Sequence, residues 1–171
     1  MKQMFLFKNI KPSSTSPYGG QLLVGRRKTK RPLNVKQPLH VVLRGDTSRC
    51  GSLVKKQIFI GMTLTKMAAR FRVKIYEKAV VSNHLHLVLK FSKTEDYKNF
   101  VRAVTGILAK RFELRWLFRP FTRIIFWGRD FKRVCQYVHM NFLEAEGIIN
   151  YQIRRQRKWP PAMNTNASDC V

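Results

Sequence analysis

Two histidines of this chain have the type and spacing of a catalytic or metal-binding pair. His84 and His86 lie two residues apart in a segment that resembles a β-strand. Residues two apart on a strand point to the same face, so the two imidazoles share one face. The residues on the other face are apolar: Leu85, Leu87, Leu89 and Phe91. The apolar face is predicted to join the core. Imidazole pairs are good ligands for divalent metals, so the histidine face is predicted to carry a site.

A tyrosine and an asparagine further along the chain could complete that site. Tyr137 and Asn141 are four residues apart, so on a helix they share one face beside an apolar stripe: Phe131, Val134, Cys135, Val138 and Phe142. A tyrosine packed beside the histidine strand could attack a phosphodiester. The alternative is a tyrosine at the edge of the core and a solvated asparagine. His40 and His139 lack such a pattern and are interpreted as ordinary histidines.

The charge of the chain favours a polyanionic partner. The sequence carries 34 Lys and Arg residues against 9 Asp and Glu, a formal net charge of +25. Such an excess lets phosphate contacts dominate affinity. Charge does not specify chemistry, so a ribosomal or chromatin component is an open alternative. No apolar stretch approaches the roughly 18 residues of a membrane span, and we expect neither a signal peptide nor a membrane partner.

The cysteines predict neither a disulfide framework nor a zinc knuckle. Cys50, Cys135 and Cys170 are widely spaced and odd in number, so free thiols are expected. A structural zinc at Cys135 with His139 is the alternative.

The hydrophobic patterns predict one domain with basic extensions. Strands are expected at 39–44, 71–81, 84–91 and 121–127, and helices at 52–70, 97–112 and 130–146. The order β-α-β-β-α-β-α predicts an α+β fold of the ferredoxin-like split βαβ type, an antiparallel sheet with helices on one face. We assign residues 1–37 to a basic arm, 38–150 to the domain and 151–171 to a basic tail.

Several cationic and aromatic residues are candidates for contacts with nucleic acid. Unpaired bases need stacking surfaces, which Trp116, Phe118, Phe126 and Trp127 could supply. The alternative places Phe126 in the core and Trp116 at a helix end. The predicted phosphate contacts are Arg26, Arg27, Lys28, Arg31, Arg44, Arg102, Arg115, Arg119, Arg123 and Arg129.

Together these residues resemble the single-tyrosine HUH transposases, and most closely the REP-associated tyrosine transposases. The motif histidine–bulky hydrophobic–histidine is met by His84-Leu85-His86, and the catalytic-helix pattern by Tyr137-Val138-His139-Met140-Asn141. Similarity extends to Arg44-Gly45, Pro120-Phe121-Thr122-Arg123 and Trp127-Gly128-Arg129. Ser82 and Phe142 stand where the family commonly has proline.

The resemblance implies a DNA-cleaving and strand-transferring enzyme of the HUH endonuclease type. It implies that His84, His86 and Asn141 hold Mg²⁺ or Mn²⁺ and that Tyr137 forms a 5′-phosphotyrosine link. The implied partner is single-stranded DNA with hairpin or palindromic repeats, and the protein would be a cytoplasmic, nucleoid-associated monomer or homodimer of a bacterium.

Two other functions stay open. A catalytically inactive, domesticated protein could bind hairpins without cutting them. A general RNA-binding ferredoxin-like module ranks last, since it predicts aromatic residues on the central strands, where this chain has His84 and His86.

Overall fold

The chain forms five strands and three α-helices in the residues that the structure, a computed structural model, describes: 17–26 and 29–150. Short 3₁₀ turns at Gly20–Leu23 and Val54–Lys56 precede the first strand and the first helix. In chain order the elements are β1 (Leu39–Asp46), α1 (Gln57–Arg70), β2 (Val73–Val80), β3 (His84–Phe91), α2 (Thr94–Phe112), β4 (Arg115–Trp116), β5 (Phe121–Ile124) and α3 (Arg129–Ala145).

The five strands form one antiparallel sheet around β1. The order is β2-β3-β1, and both β5 and β4 pair with the other side of β1. The β1–β3 register runs from Leu39 opposite Leu89 to Arg44 opposite His84. Because β3 lies between β1 and β2, the connection through α1 crosses it, which is the split βαβ arrangement. The predicted α+β class and antiparallel sheet are confirmed.

Strand alternation gives the sheet two apolar faces, each with its own helices. One face of β1 and β3 packs beneath α1 and α2 and carries Leu39, Val41, Leu43, Leu85, Leu87 and Leu89. On the opposite face α3 packs against β2 and β3, where Ala79, Val88 and Ile125 meet Val134 and Val138. The prediction of helices on one face therefore holds for α1 and α2 and is corrected for α3. The physical reason is that Ala79 and Val88 make a second apolar patch that also needs cover.

The predicted elements are present, with changes at their ends. The structure confirms β3 and places α3 within one residue of the predicted bounds. β5 ends at Ile124, and β4 has only two residues, too few for an alternation to be visible in the sequence. The first predicted helix begins with a 3₁₀ turn, where the hydroxyl of Ser52 accepts a hydrogen bond from the amide of Val54 at 3.3 Å.

The described part of the predicted basic arm lies against β5. The backbones of Tyr18 and Thr122 exchange two hydrogen bonds, of 2.8 and 2.6 Å. The guanidinium of Arg31 lies 4.7 Å from the centre of the Tyr18 ring and donates to Pro120 O and Thr122 Oγ1, each at 2.7 Å. This segment therefore extends the sheet, while the assigned boundary at residue 37 stays a prediction.

Parts of the sequence-based assignment lie outside the described residues: the first 16 residues of the arm, Arg27 and Lys28, and the basic tail 151–171 with Cys170. Cys50 and Cys135 are free thiols, as expected.

None of the helices within 17–26 and 29–150 is both long and apolar enough to cross a membrane.

The contact between the N-terminal segment and β5 can be tested at Gly19. This residue has φ +93°, and a Cβ there would overlap the carbonyl oxygen of Pro120. We expect Gly19→Ala to lower the free energy of unfolding by about 2 kcal/mol, from strain and overlap combined. Gly25→Ala is the matched control: its φ is +69°, but a Cβ would meet nothing within 4 Å. Urea unfolding measures both variants, and equal losses would show that the segment does not dock through Gly19.

Candidate functional site

The two predicted histidines of β3 lie on the face that α3 covers. Their ring centroids are 4.7 Å apart and the ring planes meet at 74°. His84 is half-buried at the start of the strand, and His86, two residues further along, is buried. Leu85, which lies between the two histidines, and Leu87, which follows them, are buried on the opposite face, as the alternation predicted. The pairing of the imidazoles therefore follows from strand geometry alone.

Helix α3 brings Tyr137 to the histidines. Val134 and Val138 of this helix are buried against β2 and β3, so Tyr137 lies at the edge of the contact. Its ring is edge-on to His86, with centroids 5.7 Å apart and planes at 85°. The side chain of Tyr137 is 37% exposed, so the phenol is accessible to a substrate at the surface.

The start of α3 is held to β5 by an ion pair. Asp130 accepts hydrogen bonds from Nη2 of Arg123 at 3.0 and 3.1 Å and from the amide of Phe126 at 3.2 Å. Gly128, with φ +90°, makes the turn into the helix. Tyr137 follows Asp130 by seven residues, about two helical turns. Fixing Asp130 therefore fixes the side of α3 on which Tyr137 projects.

A groove of about 620 Å³ lies between the start of β3 and the end of α3. Its lining includes Lys55, Ser82, His84, Tyr137, Asn141 and Glu144. The predicted nucleophile and two of the three predicted metal ligands therefore share one groove. The third predicted ligand, His86, is in ring contact with both His84 and Tyr137.

The polar atoms of the predicted metal ligands are arranged in a way that suits ligation. Nδ1 of His84 is 2.7 Å from Oδ1 of Asn83, which leaves Nε2 as the atom for a ligand bond. Nδ2 of Asn141 donates to the carbonyl of Tyr137 at 2.8 Å, which orients the amide and leaves Oδ1. Such neighbours commonly hold metal-binding histidines in place. Two imidazole nitrogens and an amide oxygen can hold a divalent ion, so the residues fit the predicted group.

Clusters of the more usual ligand types are absent from the part of the chain that the structure describes. Within it, no group of three or more His, Cys, Asp and Glu side chains is placed to hold a metal ion. His139 instead lies 3.8 Å from a carboxylate oxygen of Glu77. The alternative of a zinc at Cys135 with His139 therefore gains no support.

His40 belongs to the site, although sequence reasoning took it for an ordinary histidine. It lies on β1 between the core residues Leu39 and Val41, so it points to the histidine face. Its Nε2 is 3.2 Å from Nδ1 of His86, and its ring centroid is 6.1 Å from that of Tyr137. The alternation of β1 was the available signal, but the pairing of β1 with β3 was needed to use it.

The environment of the site keeps two of its histidines neutral near pH 7. Burial first, and the positive charge of Arg123 second, lower the pKa of His40 to about 4. The pKa of His84 is also lowered, by burial first and by Arg44 second. The neutral imidazole is the form that binds metal, so the lowered pKa of His84 favours ligation.

The predicted phosphate contacts fall into two groups. Arg31 and Arg123 are engaged by the protein itself, through Pro120 and Thr122 for Arg31 and through Asp130 for Arg123. The others that the structure describes are exposed: Arg26, Arg44, Arg102, Arg115, Arg119 and Arg129.

The exposed arginines lie at different places around the domain. Arg44 is opposite His84 in the β1–β3 register, next to the groove. Arg26 and Arg119 line a second, smaller cavity of about 240 Å³ together with Phe118. Arg115 shares a cavity with Asp46 and Glu113. Arg102 is on α2, which covers the sheet face opposite the groove.

The candidate stacking residues also fall into two groups, one packed on the core and one exposed. Nε1 of Trp116 donates to the carbonyl of Thr105 at 3.0 Å, and the ring packs on the main core. Trp116 is therefore a packing residue, as in the alternative, but it lies on β4 and not at a helix end. Phe126 and Trp127 are 51% and 45% exposed, so the placement of Phe126 in the core is corrected. The side chain of Phe126 follows the end of β5, where the sheet no longer covers it.

A solved structure shows the same fold. The chain resembles the structure of a REP-associated tyrosine transposase bound to a REP hairpin, with a TM-score of 0.56 and 12% sequence identity over 72% of this chain and 76% of that one. A weaker likeness is to a protein of Deinococcus radiodurans described as a candidate transposase, with a TM-score of 0.44 and 17% identity over 67% of this chain and 98% of that one. No curated protein matches the sequence.

The family is shown by the sequence itself. The model of the IS200-like transposase family matches residues 37–141, more than half of the 171-residue chain. That range contains the β3 histidines, His40, Tyr137 and Asn141. The resemblance inferred from the histidine and tyrosine motifs is therefore confirmed, and this chain belongs to the IS200-like transposase family.

Proposed function

We propose that this protein is a metal-dependent single-stranded DNA endonuclease and strand transferase that acts on hairpin or repeat DNA through a 5′-phosphotyrosine intermediate. The observation that carries the proposal is the position of Tyr137, whose ring lies 5.7 Å from that of His86 in a groove shared with His84 and Asn141. A phenol, an imidazole and an amide oxygen at one surface groove, with a second imidazole buried beside them, suit attack on a phosphodiester better than packing alone.

In the proposed reaction Tyr137 is the nucleophile. Its phenol gives up its proton, the oxygen attacks the scissile phosphorus and bonds to it, and the bond from phosphorus to the 3′ oxygen breaks. The leaving oxygen takes up a proton and becomes a 3′-hydroxyl, while the 5′-phosphate stays on the tyrosine. A 3′-hydroxyl can later attack the phosphotyrosine, which rejoins the strands and restores the phenol without ATP.

The chain's own residues prepare this step. His84, His86 and Asn141 would hold a divalent ion, Mg²⁺ or Mn²⁺, which supplies stabilisation for negative charge on the phosphate. Asn83 orients His84 through its hydrogen bond of 2.7 Å, and the α3 backbone orients Asn141. Neutral imidazoles are ready to ligate without losing a proton first.

The charge and the fold support DNA as the substrate. The net charge of +25 favours a polyanion, and Arg44 lies beside the groove where a scissile phosphate would bind. The similar REP-associated transposase was solved with a REP hairpin bound, which supports hairpin DNA as the class to test. The cavity with Arg26, Arg119 and Phe118 has the cation and aromatic ring that unpaired bases require.

A second candidate function is a hairpin-binding protein that no longer cuts. It is favoured by Ser82 and Phe142, which stand next to the histidine and tyrosine motifs where the family commonly has proline. The two functions predict equal DNA binding and differ in the covalent adduct.

The nucleophile is tested by Tyr137→Phe. We expect loss of the covalent protein–DNA adduct by roughly 10⁴-fold or more, with stability and DNA affinity nearly unchanged, because only a hydroxyl at the surface is removed. Labelled single-stranded hairpins from repeats flanking the gene are incubated with the protein and Mn²⁺ and separated on a denaturing gel.

The matched control for Tyr137→Phe is Tyr97→Phe. The Tyr97 hydroxyl is buried on the other side of the sheet and has no hydrogen-bond partner among the described residues. This variant should form the adduct like the parent. An adduct that persists in Tyr137→Phe would assign the attack to another residue, and tight binding without any adduct in the parent would favour the silent hairpin-binder.

The β3 histidines are tested by His84→Ala and His86→Ala. Loss of a metal ligand should reduce cleavage by about 100-fold or more while most DNA affinity survives, since phosphate contacts supply the affinity. His139→Gln is the control, because His139 lies on the surface of α3 beside Glu77. Variants that cleave like the parent would remove His84 and His86 from the mechanism.

Substitutions in the two groups of arginines should affect different properties, DNA binding in one group and the stability of the fold in the other. Arg44→Ala is expected to weaken DNA binding and to reduce the slope of log affinity against log salt by about 1, because one phosphate contact is lost. Arg123→Ala should instead lower the free energy of unfolding by about 2–3 kcal/mol, because Asp130 loses its partner. Fluorescence anisotropy across salt concentrations and urea unfolding measure the two effects, and the reverse pattern would contradict the assignment.

A further inference from the structure

We propose that His40 is a positioning residue that fixes the tautomer of His86. In this arrangement Nδ1 of His86 carries the proton and donates it in a hydrogen bond to Nε2 of His40. Nε2 of His86 then keeps its lone pair. The inference deepens the proposed function, since that lone pair is the one with which His86 would bind a metal ion.

The geometry of the pair supports a direct hydrogen bond. Nε2 of His40 and Nδ1 of His86 are 3.2 Å apart, within the usual range for nitrogen donors and acceptors. The ring planes differ by only 12°, and the centroids are 5.5 Å apart, as far as the 3.2 Å contact allows, so the two nitrogens face each other nearly in plane. Both side chains are 4% exposed, so water does not compete for the bond.

Proton counting then leaves two states for the pair. A neutral imidazole has one N–H and one lone pair, so one ring must donate and the other must accept. If His86 accepts at Nδ1, its proton is on Nε2 and that nitrogen cannot ligate a metal. If His86 donates from Nδ1, its Nε2 can ligate. His40 is the acceptor that makes the second state possible at a buried position.

His40 also contacts the nucleophile. Its ring is edge-on to Tyr137, with centroids 6.1 Å apart and planes at 79°, and edge-on to Phe121 at 6.2 Å. One buried imidazole therefore links the predicted metal ligand to the tyrosine that attacks. A phenylalanine at this position would keep a ring against Tyr137 but could not accept the hydrogen bond.

The test compares Mn²⁺ binding in the full chain with and without that acceptor. Binding is followed by the loss of the free Mn²⁺ electron paramagnetic resonance signal in the parent, His40→Phe, His40→Gln and the control His139→Gln. We expect His40→Phe to weaken Mn²⁺ binding by 10- to 100-fold, the usual loss when the partner of a metal-binding histidine is removed. His40→Gln, whose amide oxygen can accept from Nδ1, should recover most of the affinity, and His139→Gln should bind like the parent.

A second measurement reads the tautomer directly and needs no variant. Nitrogen-15 chemical shifts of the histidine rings in the labelled parent should show His86 protonated at Nδ1, both without metal and with Mg²⁺. In His40→Phe both tautomers of His86 should be populated. Circular dichroism melting of each variant establishes that it is folded.

The outcomes separate this inference from the proposed function. A parent that shows His86 protonated at Nε2, or a folded His40→Phe with the Mn²⁺ affinity and the His86 tautomer of the parent, overturns the role of His40 even if the parent cleaves DNA. A parent that neither binds Mn²⁺ nor forms an adduct removes the proposed function. The role of His40 is still upheld in that case if His86 is protonated at Nδ1 in the parent and populates both tautomers in His40→Phe.

Discussion

The packing of α3 on the histidine face of the sheet is the contact on which the candidate site depends. Val134 and Val138 lie against Ala79 and Val88, and these four side chains belong to the buried centre of the apolar cluster that holds the helix on that face. Ala79 is paired with His86 in the β2–β3 register, and its small side chain allows the helix to approach. A larger residue there would move the tyrosine of α3 away from the imidazoles.

The local geometry of the site could be predicted from the sequence because it follows from the residue spacing within a single strand and a single helix. The alternation in β3 separates the leucines from the histidines, and the four-residue spacing places Tyr137 and Asn141 on one face of α3. The part that could not be predicted is long-range. His40 is 46 positions before His86, and only the β1–β3 register joins them.

The arginines show a second reason why sequence is not enough. A dense set of positive charges predicts a polyanionic partner, but each guanidinium can equally serve the fold. Arg31 joins the N-terminal segment to β5, and Arg123 joins β5 to α3. Neither role is visible in charge density, because the carbonyl, hydroxyl and carboxylate partners are recognised only once the strands are in place. The helix α3 was predicted, but the face of the sheet that it covers was not, for the same reason.

The two outer edges of the sheet are protected by different means, and this bears on self-association. At one edge β2 is irregular between Ile75 and Glu77 and carries the exposed lysines Lys74 and Lys78. At the other edge the backbone of Tyr18 forms hydrogen bonds with the amide and the carbonyl of Thr122. Irregular, charged or covered edges disfavour the addition of a strand from another molecule. A domain with an open sheet can thus stay resistant to β-type aggregation without closing that sheet into a barrel.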